Sequence, residues 1–108
     1  MAKPELLSGT LDLLISRVLN GGPLHGFGVA ERIHVLSRDV LTVEEGSLYP
    51  ALYRMEDKSW IEAEWGQSDN NRRARFYRLT PAGRKQLAAE ISEFEKVTRA
   101  ITRVIQPA

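Results

Sequence analysis

The sequence predicts a mostly helical α+β domain with one small β-hairpin. Three observations carry this: apolar residues recur at helical spacing in four stretches, a single alternating run spans Trp60 to Trp65, and glycine, proline or polar clusters punctuate the chain between them. The first helix is expected from Leu6 to Leu19. Leu11, Leu14, Ile15, Val18 and Leu19 form its apolar stripe, and Ser8 or Thr10 caps its start. Asn20-Gly21-Gly22-Pro23 stops it. A second helix follows from about His25 to Ser37, with Val29, Ile33 and Leu36 inward and Glu31 and Arg32 outward. Gly26 and Gly28 weaken its first turn, so they serve either close approach to a phosphate at the helix N-terminus or tight contact with the first helix.

Thr42-Val43-Glu44-Glu45 matches a capping box and is expected to open a third helix, with Leu48, Ala51, Leu52 and Met55 inward. Pro50 either kinks this helix or sits in its first turn. Lys58-Ser59 turns the chain into the strand Trp60–Trp65. Gly66 to Asn71 is a polar loop, and Arg75–Leu79 the return strand. Thr80 and Pro81 then start a last helix that reaches about Ile105, threonine as cap and proline at the first helical position.

This order, a helix shaped for a DNA groove followed by a two-stranded basic hairpin, is that of a winged helix-turn-helix. Residues 1–79 form the DNA-binding domain and residues 80–108 a long C-terminal dimerisation helix, together one compact unit. Leu87, Ile91, Phe94, Thr98, Ile101 and Ile105 follow a heptad seam widened by Val97 and Val104. A chain of 108 residues has too little core to cover that length. With Leu11 and Ile15 of the first helix, the seam is expected to build a two-fold homodimer interface.

The formal charge of +1 says little, but its distribution is informative. Arg72, Arg73, Arg75, Arg78, Arg84 and Lys85 follow one another with no acid between them, the footprint of a phosphate partner. The residues expected at DNA are His25 and Gly26 at the second helix's start, Ser47, Leu48, Tyr49 and Arg54 on the third, and Asn71, Arg72, Arg73 and Arg75 on the wing. Tyr49 is equally a packing ring, and Arg54 could instead pair with Asp57 or Glu56. Arg75 and Arg78 could pair with Glu64 and Glu62 across the hairpin. Trp60, Trp65, Phe76 and Tyr77 are read as cement between hairpin and helices rather than as platforms for single strands.

Other classes are poorly supplied. Two histidines, His25 and His34, and no cysteine give no metal centre. No nucleophile–base pair and no phosphate loop point to an enzyme, and no cofactor is expected. Without an apolar run of about 18 residues or a signal sequence, the expected setting is the cytoplasm, away from membranes. The rival reading is a winged-helix module that binds protein and not DNA, kept open by Glu44, Glu45, Glu62 and Glu64.

Several segments together resemble the PadR family of bacterial transcriptional regulators, in its short form with a single C-terminal helix. They are Gly9-Thr10-Leu11, Gly22-Pro23-Leu24-His25-Gly26-Phe27, Glu45 to Glu56 with Gly46-Ser47-Leu48-Tyr49-Pro50 at its heart, Trp65-Gly66, and Tyr77 to Gly83. The resemblance implies a homodimeric repressor on a pseudo-palindromic operator, released when a small, often aromatic effector binds near the dimer interface. Phe27 stands where the family has tyrosine, and Ser59 where it commonly has glycine.

Overall fold

The computed structural model describes residues 9–107. Helices α1 (Thr10–Leu19), α2 (Gly26–Leu36) and α3 (Glu45–Asp57) precede a hairpin of β2 (Ile61–Gln67) and β3 (Arg73–Leu79), and α4 (Pro81–Ile105) closes the chain. A two-residue strand, β1 (Leu24–His25), pairs antiparallel with β3, so the sheet has three strands in the order β1-β3-β2. The sequence suggested only the hairpin. Two residues carry no readable alternation, and their pairing is set by Tyr77 and Phe76, far along the chain.

One core joins the elements. Leu11, Ile15 and Leu19 of α1 meet Val29 and Ile33 of α2, Leu48, Ala51, Leu52 and Met55 of α3, Ile61, Tyr77 and Leu79 of the sheet, and Leu87 of α4. The expected inner stripe of α3 is therefore found intact. That of α2 is shorter than expected, because Leu36 is 62% exposed in the last turn.

Helix ends differ from their sequence signals. Thr10 is not a cap but the first residue of α1; Gly9, at φ 89°, precedes it, and among the described residues no side chain caps the helix. Leu6 and Ser8 lie outside the described residues. The capping box at Thr42 does not form either: α3 begins at Glu45, with Glu44 as an N-cap that makes no side-chain cap bond. The helix runs on through Pro50, whose missing N–H removes the bond that the Gly46 carbonyl would otherwise accept.

The end of α3 is a Schellman motif. Trp60 N–H donates to Met55 O (3.0 Å) and Ser59 N–H to Glu56 O (2.9 Å), which forces Ser59 to φ 61°. This is a glycine conformation held by a serine. Thr80 fastens the start of α4 to the same corner. Its N–H donates to Trp60 O, its hydroxyl to Ser59 O (2.6 Å), and its Oγ1 accepts from Gly83 N–H (3.0 Å). Gly83 is buried against this corner, where a Cβ would collide with the Trp60 carbonyl.

Candidate nucleic-acid interface

The hairpin changes character along its length. In-register pairs share a face, so Ile61 with Leu79 and Ala63 with Tyr77 look toward the helices. The next pairs on the same face, Trp65 with Arg75 and Gln67 with Arg73, lie beyond the core. Of these, Trp65, Arg75 and Arg73 form one wall of an open groove of about 900 Å³, whose other walls are β1, the face of α2 from Gly26 to Val35, and Tyr49 and Tyr53 of α3. The tip loop reaches the same groove through Asn70 and Arg72, and Arg32 faces it from α2.

The arginines divide by what their guanidinium groups touch. Arg54 Nη2 donates to Asp12 Oδ1 at 2.7 Å, tying α3 to a carboxylate of α1 that is 7% exposed. A buried carboxylate is costly without such a partner, so this contact ties Arg54 down as a strut through one N–H, with about half of its side chain still exposed. The partner differs from the Asp57 or Glu56 that proximity in sequence suggested. Arg75 Nη2 donates to Glu56 at 2.7 Å and Arg78 pairs with Glu62 at 2.8 Å. Glu62 was the expected partner of Arg78, whereas Arg75 turns to α3 rather than to Glu64. Arg32 and Arg72 hold no ion pair among the described residues. Arg73 lies over the Trp65 ring, 4.5 Å from its centroid. The cations left for an anion in the groove are therefore Arg32, Arg72 and Arg73, with Glu31 and Asp69 as the acids beside them.

The other expected contact residues fall into two groups. Ser47 is exposed on the first turn of α3, and Asn71 is exposed at the wing tip. Asn71 adopts φ 62°, a conformation asparagine tolerates, and its N–H donates to Ser68 O to close the turn. Leu48, by contrast, is 1% exposed and belongs to the core, so it cannot reach a base. Gly26 is buried, and a Cβ there would stand 2.7 Å from the Tyr49 hydroxyl. Its smallness thus admits the tyrosine of α3 rather than α1, and Gly26 also lines the groove. Tyr49 is accordingly half-buried, as a packing ring would be, with one side still on the groove.

His25 caps α2, its Nδ1 accepting from Gly28 N–H at 3.0 Å. That bond leaves Nε2–H as the donor of the neutral ring. The ring also meets Phe76 edge-on at 5.4 Å. Beneath the groove, burial pushes the Tyr77 phenol above its ordinary range, with Arg75 nearby opposing the shift, so it stays protonated at neutral pH.

Sequence reasoning missed Arg32, Phe27, Tyr53 and Trp65 as groove residues. The outward position of Arg32 was legible, but not that the wing folds over toward it. Trp65 is 59% exposed and so is not the hairpin cement it was expected to be; Trp60 and Phe76 are partly covered and Tyr77 is buried.

The seam of α4 also divides. Leu87 is buried and Ile91 half-buried in the chain's own core, but residues 92–107 are all exposed, with Phe94, Val97, Ile101 and Ile105 at 44–74%. Leu11, Ile15 and Leu87, expected at a dimer interface, are consumed within the core; Ile15 has no exposed surface left to bury. No group of three or more His, Asp or Glu residues among the described residues could hold a metal ion, and no helix among them is long and apolar enough to cross a membrane.

Comparison with known proteins gives a consistent result. Residues 15–89 match the Transcriptional regulator PadR-like family. A transcriptional regulator from Clostridium thermocellum superposes with a TM-score of 0.83 at 26% identity, covering 91% of this chain and 95% of that one. A PadR family transcription regulator from Clostridium difficile superposes at 0.76 with 28% identity, covering 91% and 100%. By sequence, the transcriptional regulator Rv3488 of Mycobacterium tuberculosis is 38% identical over 66 residues, 61% of each chain.

Proposed function

The chain belongs to the PadR-like family of transcriptional regulators, and from that premise we propose that it works as a homodimer on a pseudo-palindromic operator, as a repressor, in the cytoplasm. Regulation of transcription through DNA follows from the family and its winged-helix fold. The finer reading rests on what the surface leaves unspent. The groove beside α3 keeps three arginines, Arg32, Arg72 and Arg73, without a carboxylate partner among the described residues. That is the observation that carries DNA contact. Ser47 on α3 faces a major groove while Arg72, Arg73 and Asn71 on the wing hold the neighbouring backbone. His25 and Tyr49 line the same groove and complete the contact surface.

The dimer is supported by the distal half of α4. Phe94, Val97, Ile101 and Ile105, with Thr98 between them, form an apolar face along a helix that has left the core. Such a face is stabilised by a second copy, whose own helix supplies the same surface about a two-fold axis. The interface is thus assigned to Ile91, Phe94, Thr98, Ile101 and Ile105. Leu14 and Val18, only half-buried on α1, are available to extend it. Release by a small aromatic effector is supported by the family resemblance and by the aromatic Phe94 within this face.

Sedimentation and fluorescence anisotropy test both halves together. The expected result is a dimer at micromolar concentration that binds labelled duplex with an affinity falling steeply as salt rises. A dimer indifferent to every duplex would favour a protein-binding winged helix instead. A monomer that binds duplex would remove α4 from the account.

A further inference from the structure

We propose that Trp65 is a positioning residue for DNA binding, holding the Arg73 guanidinium by its face so that its N–H edge stays open to phosphate in the groove. The inference rests on the DNA-binding reading above and adds a residue to it.

Geometry carries the argument. In the hairpin register Trp65 faces Arg75 directly and Gln67 faces Arg73, so Trp65 and Arg73 are diagonal neighbours on the groove-facing side. The guanidinium carbon stands 4.5 Å from the ring centroid. Arg54, Arg75 and Arg78 are also held in place, but each through an N–H bond to a carboxylate. A carboxylate takes donors from the edge of the guanidinium and offsets its charge, and a phosphate needs both. An aromatic ring occupies only the face and leaves the donors in the plane free. Arg73 is thus both restrained and unspent, whereas Arg72 is unspent and unrestrained.

The exposure of Trp65 supports the same assignment. A tryptophan 59% exposed at a wing tip contributes little to the core, and its solvent-facing bulk is costly unless it meets a partner. Ordering Arg73 before DNA arrives lowers the conformational entropy lost on binding. Direct stacking of Trp65 on a base is the competing explanation, and it predicts a different coupling.

The test is a double-mutant cycle read by anisotropy with a labelled random-sequence duplex, since phosphate contacts do not depend on sequence. Arg73→Ala should lower the slope of log affinity against log salt by about 1. Trp65→Ala should weaken binding about two- to five-fold in the wild-type background and leave the slope unchanged. In the Arg73→Ala background it should have no further effect, whereas with Arg72→Ala its effect should add in full. Trp65→Phe should restore most of the affinity and Trp65→Leu should not, which separates a π-face from mere bulk. Equal weakening by Trp65→Ala with and without Arg73 would overturn the proposal, as would rescue by leucine. Failure of the wild-type protein to bind any duplex would overturn the DNA-binding reading as well, and is recognised before any variant is compared.

Discussion

The wing and α4 both begin in the core and both leave it, but they carry different chemistry outward. The hairpin starts with Ile61 and Leu79 and ends with Trp65, Arg72 and Arg73. The helix starts with Gly83 and Leu87 and ends with Phe94, Ile101 and Ile105 exposed. A projecting cationic tip is stable in water yet suited to an anion; a projecting apolar face is unfavourable in water and calls for a protein surface. Under the function proposed above, the two exits select two kinds of partner, phosphate at one and a second copy at the other.

The sharpest way to break this contrast is to place the wrong chemistry on α4. Ile101→Glu should dissociate the dimer and reduce operator binding by more than about 100-fold, because each monomer then binds only a half-site. Sedimentation showing an intact mutant dimer would contradict the assigned face. The next largest effect falls on the shared root of both exits. Gly83→Ala pushes a methyl group into the Trp60 carbonyl and should cost about 2–4 kcal/mol of stability, read by denaturant unfolding. A loss below about 1 kcal/mol would mean that α4 can shift away from the hairpin without penalty.

Smaller changes sharpen the wing's side of the contrast. Arg32→Ala and Arg72→Ala should each reduce the salt slope by about 1, although they stand on opposite walls of the groove. An unchanged slope for Arg32→Ala would confine the phosphate contacts to the wing. The smallest effect is expected at Ser59, whose φ of 61° suits glycine: Ser59→Gly should stabilise the protein by roughly 0.5–1 kcal/mol with binding unchanged. Thermal unfolding checks it, and a destabilised variant would show that the serine has an offsetting role.

Much of the fold could be read in advance, and the reason is local. Thr80 and Pro81 announce α4, the inner stripe of α3 has helical spacing, and the hairpin strands lie close in sequence. β1 was invisible because its existence depends on β3, about 50 residues later. The same distance hid the Asp12–Arg54 pair, since only the crossing of α1 and α3 brings the two together. At the interface, periodicity identified apolar residues but not what covers them. Leu11, Ile15 and Leu87 are covered by their own chain, while Phe94 and Ile101 are not. Trp65 was misjudged for a related reason: tryptophan is ordinarily buried, and only the length of the hairpin carries this one past the core.

Selection of bound duplexes from a random pool tests the central claim most directly, because the spacing of the recovered motif reports how far apart two α3 helices are held. Paired copies joined through α4 predict inverted half-sites separated by about one helical turn, roughly 34–36 Å centre to centre. Recovery of a single unrepeated motif, or of no enriched sequence, would contradict it.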